Sequence, residues 1–201
     1  MESRRLILAS ASPRRQALLA QLGLDAEIRP ADIPERPLPE ETPEQYVRRI
    51  AAEKSRAIQT LDDSRLPVLA ADTEVVLDGE IFGKPADLAQ ALEMLARLSG
   101  REHAVLSAVS LRAGERHLEA LSLSRVRFRP LTVDEIRAYW ATGESRDKAG
   151  GYAIQGLGAL FVEHLSGSYS GVMGLPLRET GELLRQIGLD PLPPQRKGNP
   201  S

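Results

Sequence analysis

Over the first sixty residues the apolar positions change rhythm several times. Leu6-Ile7-Leu8-Ala9 is a short continuous apolar run, as in a buried strand, and Ser10-Ala11-Ser12 turns the chain after it. Ser12-Pro13 predicts a helix start, with serine as N-cap and proline in the first turn. That helix runs through Ala17, Leu18 and Leu22 and stops at Gly23. Ala26 to Arg29 predicts another strand, and the proline- and acid-rich stretch from Pro30 to Glu41 predicts a loop. Thr42-Pro43-Glu44-Gln45 has the spacing of a capping box. The helix it opens carries Tyr46, Val47, Ile50, Ala51, Ala57 and Ile58 at helical spacing.

Further on, Val68-Leu69-Ala70-Ala71 is a buried strand ending in Asp72-Thr73. Glu74 to Leu77 stays extended, Asp78-Gly79 signals a hairpin, and Glu80-Ile81-Phe82 returns. Leu88, Leu92, Leu95 and Leu98 mark a helix that ends near Gly100. His103 to Leu111 and His117 to Phe128 predict two long antiparallel strands joined around Ala113-Gly114. Thr132-Val133-Asp134-Glu135 is a second capping box, opening a helix through Trp140. Asp147 to Gly151 reads as a charged, glycine-rich loop, Tyr152 to Gln155 and Ala159 to His164 as strands, and Leu177 to Ile187 as the last helix. No repeat or linker divides the chain. Alternating helices and strands imply one α/β domain with a mixed sheet over 1–190, followed by a disordered tail over 191–201.

Composition narrows the chemistry. Aromatic residues are only 4%, so the core must be aliphatic. The absence of cysteine removes disulfides, thiolate metal sites and cysteine nucleophiles together. A net charge of −2 argues against a nucleic-acid binder that works through a broad basic surface. Apolar runs are too short for a signal peptide or a membrane helix, so a cytoplasmic protein is expected.

Against that background a few charged positions stand out. Ser10-Ala11-Ser12-Pro13-Arg14-Arg15 places two arginines at a helix N-terminus, where acids are preferred. An anion such as phosphate at the helix start resolves the conflict; solvent-exposed arginines behind a serine cap are the alternative. Lys54 lies on the apolar stripe of its helix, which requires either snorkelling or a partner. Asp72 ends an apolar strand, where α/β proteins place ligand groups, although aspartate is also an ordinary turn residue. Glu35 could be a second metal ligand, but alone it reads as a solvated loop acid. Lys84, in Gly83-Lys84-Pro85, offers a point charge on a constrained turn. Gln155, within the segment from Asp147 to Gly156, carries the donor and acceptor needed to read a base edge. His103, His117 and His164 have no metal-ligand spacing.

These segments, taken in order with Gly167-Ser168-Tyr169-Ser170 and Gly174-Leu175-Pro176-Leu177, resemble the Maf family of nucleoside triphosphate pyrophosphatases from about Leu6 to Gly188. The resemblance implies a two-lobed, mixed-sheet Maf/ITPase-like fold with the site in a central cleft, and often a homodimer. It implies hydrolysis of a nucleoside triphosphate between the α- and β-phosphates with a divalent metal, Mg²⁺ or Mn²⁺. Asp72 would accept a proton from water and, with Glu35, hold the metal. Ser10, Arg14, Arg15, Lys54 and Lys84 would bind phosphate. Thr73 and Gln155, with Arg14, would set specificity. Asp72-Thr73 together with Gln155 is similar to the subgroup acting on dTTP and UTP, with modified pyrimidine nucleotides as further candidates. Pro34-Glu35, Gly151-Tyr152-Ala153 and Glu74 depart from the usual family pattern, in which valine is common at the last position. A nucleotide-binding regulator of cell division without essential catalysis is the rival reading; retention of Asp72 and the cationic positions weighs against it.

Overall fold

The computed structural model describes residues 5–61 and 65–192. Seven strands and six helices form it: β1 (Arg5–Leu8), α1 (Pro13–Ala20), β2 (Asp25–Ile28), α2 (Pro43–Leu61), β3 (Val68–Leu77), β4 (Glu80–Phe82), α3 (Leu88–Leu98), β5 (Glu102–Ala113), β6 (Arg116–Phe128), α4 (Val133–Ala141), β7 (Val162–Ser166), α5 (Tyr169–Met173) and α6 (Leu177–Gln186). All strands join one mixed sheet in the order β2-β1-β3-β5-β6-β7, with β4 also on β3. β1 runs parallel to β2 and β3, and the remaining pairs are antiparallel. Among the described residues, no helix is long and apolar enough to cross a membrane.

Local chemistry explains most of the boundaries. Thr42 Oγ1 accepts from Gln45 N–H while Gln45 Oε1 accepts from Thr42 N–H, which completes the first capping box. Thr132 and Glu135 complete the second at α4. Asp78 and Gly79 both have positive φ, as the tight β3–β4 hairpin requires. Ser12 occupies the N-cap position of α1, but its side chain does not cap it. Instead, the Ser12 N–H donates to Ser10 Oγ.

Two expected strands are corrected. Tyr152–Gln155 has no ladder partner, and residues Leu157–Phe161 form a 3₁₀ turn that delays β7 to Val162. Tyr152 and Ile154 of the first segment instead pack onto a core shared by the sheet residues Val75, Val105 and Phe128 and by Ile136 and Tyr139 of α4. α5 was not anticipated; it forms where Ser168 Oγ accepts from Gly171 N–H. Of the tail expected over 191–201, residues 193–201 lie outside those described.

The sheet also shows why there are two lobes. On one of its faces, Leu69, Ala71, Val109 and Leu111 pack with Leu6, Leu8 and α1. Farther along the same face, Val75, Leu77 and Val105 pack with α3, α4, Phe128 and Tyr152. Between these cores lies a polar row, Thr73–Ser107–Ser122, in ladder register. The opposite face is covered by α2, through Val47 and Ala51 against Leu106 and Ala108.

Candidate active site

One edge of β3 is only partly covered. β5 pairs with it from Val68 to Val76 on one side. On the other side β1 covers Val68 and Leu69, and β4 covers Val75 to Leu77. Residues 70–74 therefore sit in a gap in the sheet, and Asp72-Thr73-Glu74 occupies its middle. A cavity of about 430 Å³ opens there, within the range of small-molecule sites. It is lined from β1–α1 by Ser10, Arg14 and Arg15, from the loop and α2 by Glu35, Tyr46 and Lys54, and from the far lobe by Lys84, Lys148 and Gln155. Every residue singled out from the sequence for chemistry thus lines one cavity, and the three histidines do not.

Strand alternation sends Asp72 and Glu74 to the α2 face and Thr73 to the other. On the α2 face, Lys54 is only 7% exposed and Asp72 3%. Lys54 Nζ lies 2.8 Å from both Asp72 Oδ1 and Glu35 Oε1. The lysine therefore has partners rather than snorkelling. Asp72 Oδ2 is buried and has no hydrogen-bond partner, a costly state for a carboxylate oxygen unless something else approaches it. On the other face, Thr73 Oγ1 is 2.8 Å from Ser107 Oγ. Arg15 donates to the Gly174 carbonyl at 2.8 Å and, more loosely, to Ser10 Oγ and Thr73 Oγ1. Carbonyls at the end of α5 thus meet both arginines, since Arg14 also reaches Met173 O at 3.4 Å.

The cavity is electrostatically divided. Burial, and then Arg15, hold Arg14 below the usual arginine range. Burial, and then Arg14, do the same to Lys148. Across the cavity, burial, and then Asp72 and Glu35, push Glu74 up to about 8. Burial, and then Glu74, Asp72 and Glu35, also raise Tyr46. An anionic ligand relieves the first group, and a cation relieves the second.

Glycine fixes the approach of the far wall. The Gly150 N–H donates to Gly83 O, fastening the Lys84 turn to the 147–151 loop. Gly150 has φ of 67°, and an added Cβ would lie 2.9 Å from Val75. Tyr46 and Glu74 were missed as cavity residues. Both had a signal: Tyr46 shares the 46-50-54 stripe with Lys54, and Glu74 shares a strand face with Asp72.

The family model described as Maf-like protein matches residues 5–187. A dTTP/UTP pyrophosphatase of Methylococcus capsulatus is 61% identical over 188 residues, covering 94% of this chain and 93% of its own. A protein of the same name from Anaeromyxobacter dehalogenans is 54% identical, covering 96% and 98%. Another, from Aromatoleum aromaticum, is 50% identical, covering 92% and 96%.

Proposed function

The chain belongs to the Maf-like protein family, and from that premise we propose that it hydrolyses dTTP and UTP to the nucleoside monophosphate and pyrophosphate. The observation that carries the reading is Asp72, a buried carboxylate with one oxygen held by Lys54 and the other unpartnered beside a cavity rich in cations.

In this reading the triphosphate lies across the gap in the sheet. Arg14, Lys54 and Lys84 neutralise its charge and the charge that develops on departing pyrophosphate. Ser10 bonds a phosphate oxygen, and Arg15, already donating to Ser10, fixes that hydroxyl and adds its own charge. Lys54 holds Asp72 Oδ1, so Oδ2 is the oxygen that accepts a proton from the attacking water. Water adds to phosphorus, the bridging bond between the α- and β-phosphates breaks, and pyrophosphate leaves.

The carboxylates fit a hard divalent cation such as Mg²⁺ or Mn²⁺. Asp72 keeps an orphaned oxygen, and Glu35 stands on the other side of the same lysine. When bound, such an ion polarises phosphoryl oxygens. Gln155 is exposed in the far wall and makes no hydrogen bond within the described protein. Its amide accepts from pyrimidine N3–H and donates to an adjacent carbonyl, with Thr73 and Arg14 shaping the opposite side.

A panel of nucleoside triphosphates with Mg²⁺ or Mn²⁺ tests this, with both products identified. Monophosphate and pyrophosphate from dTTP and UTP, at higher efficiency than from CTP or purine nucleotides, are expected. Release of orthophosphate instead, or no preference for dTTP and UTP, would overturn it.

A further inference from the structure

The segment that carries Gln155 has no place in the sheet, yet it is tightly held. Its partners are two side chains from α4 and the turn after it. Tyr139 is 4% exposed and packs edge-on to Phe161, with ring centroids 4.9 Å apart. Its hydroxyl donates to Glu144 Oε1 at 2.8 Å and accepts from the Ala153 N–H at 3.0 Å. Glu144 then accepts from Leu157 N–H at 2.9 Å and Gly158 N–H at 3.0 Å. The Glu144 backbone is itself fixed: its N–H donates to Thr142 Oγ1, whose hydroxyl donates to Tyr139 O.

These bonds bracket Gln155 from both sides. Ala153 lies two residues before it, and Leu157 and Gly158 lie two and three after. Space is equally restricted. A Cβ at Gly156 would lie 2.2 Å from Glu144 Oε2, and one at Gly158 would lie 2.7 Å from Ala153 O. The Gln155 amide, by contrast, is left without an internal partner. A loop fastened on both sides of its one free amide is suited to presenting that amide.

We propose that Tyr139 and Glu144 are positioning residues that lock the Gln155 segment in the orientation that distinguishes a uracil-type edge from a cytosine edge. The inference rests on the reading that Gln155 faces the base. The physical need is clear. Uracil presents an acceptor at O4 and a donor at N3, whereas cytosine reverses both. A glutamine amide can flip to satisfy either edge, so what the held backbone supplies is the distance and angle at which the amide meets the base beside its fixed neighbours, without which neither edge is read.

Two variants test the inference. Tyr139→Phe keeps the ring and removes the bonds to Ala153 and Glu144. Gly156→Ala adds a methyl whose three nearest atoms all belong to the Glu144 carboxylate, at a backbone with negative φ of −122°. Three quantities are measured: kcat and KM for UTP, the UTP:CTP ratio of kcat/KM, and competitive inhibition by tripolyphosphate, which has no base. The UTP:CTP ratio is expected to fall roughly 10-fold in both variants, mainly through KM for UTP. Tripolyphosphate affinity and melting temperature should stay close to wild type in Gly156→Ala. An unchanged ratio in the folded variants would overturn the inference. So would a parallel loss of tripolyphosphate affinity, or unfolding of both variants, since either assigns the pair to the fold as a whole. A wild-type protein with no preference for UTP over CTP would overturn the functional reading itself, and the inference with it.

Discussion

His103 and Asp72 are almost equally hidden, at 2% and 3% exposure, and each has one polar atom without a partner. Their surroundings differ. His103 is wrapped by Phe128 and Tyr152, with centroids at 4.9 and 5.5 Å, and its Nε2 lies 2.8 Å from Tyr152 Oη. Burial depresses its pKa to about 4, so the ring is neutral, and a lone nitrogen on a neutral ring is a modest liability. Asp72 is held by Lys54 through one oxygen, and its other oxygen lies beside a cavity. The aromatic lobe disposes of its polar group by neutralising it, whereas the cleft leaves one incompletely satisfied. That difference marks the cleft as the place where a ligand must complete the structure.

The sharpest way to break this contrast is to remove the Asp72 charge while keeping its shape. Asp72→Asn should lower kcat by about 10³-fold or more, with the fold intact by circular dichroism. Retention of half the wild-type rate would show that the orphaned oxygen is not used. Arg14→Ala, Lys54→Ala and Lys84→Ala should each cost about 2–4 kcal/mol of transition-state stabilisation, or roughly 30- to 1000-fold in kcat/KM. Lys54→Met separates packing from charge, because methionine fills the stripe but bridges nothing. Normal turnover in that variant would return Lys54 to a packing role.

The aromatic side of the comparison has its own test. The folded-state pKa of His103 lies near 4, below the usual value for histidine, so the unfolded chain binds the extra proton first as pH falls. The stability that comes from keeping His103 neutral is full above about pH 6.5 and is lost as pH drops towards 4. The loss attributable to His103 should be about 2–3 kcal/mol. Chemical denaturation of wild type and His103→Phe between pH 4 and 7 reads it as a difference in slope. Parallel curves would mean that the ring can charge without cost.

The sequence exposed the cleft better than its scaffolding. Asp72, Lys54 and the β1–α1 arginines stand out because charge sits where strand ends and apolar stripes do not call for it. The gap between β1 and β4 could not be read, because it depends on how far each neighbour extends along β3. The segment from Tyr152 to Gln155 was misread as a strand for a related reason. Its short apolar run is real, but the Ala153 N–H donates to the Tyr139 hydroxyl, a side chain of α4, rather than to a neighbouring strand. Thr73 was legible as a residue type, but its tie to Ser107 and Arg15 depends on tertiary register.

Glu74 supplies the smallest expected effect and the finest test of the comparison. It lies on the same strand face as Asp72 but has no lysine of its own, and burial, with Asp72 and Glu35 beside it, raises its pKa to about 8. The sign follows from proton binding. Between about pH 4.5 and 8 the unfolded carboxyl is ionised while the folded one retains its proton, so stability falls as pH rises through this window. Glu74→Gln removes that liability and keeps the size. It should therefore be nearly neutral at pH 4.5 and stabilise the metal-free protein by about 1–2 kcal/mol at pH 8. Urea midpoints at the two pH values decide it. Equal midpoint shifts would mean that Glu74 is solvated and that the unmet charge of the cleft belongs to Asp72 alone. A gain confined to high pH would show that the cleft holds more negative charge than Lys54 can balance, which is the condition that favours a bound cation.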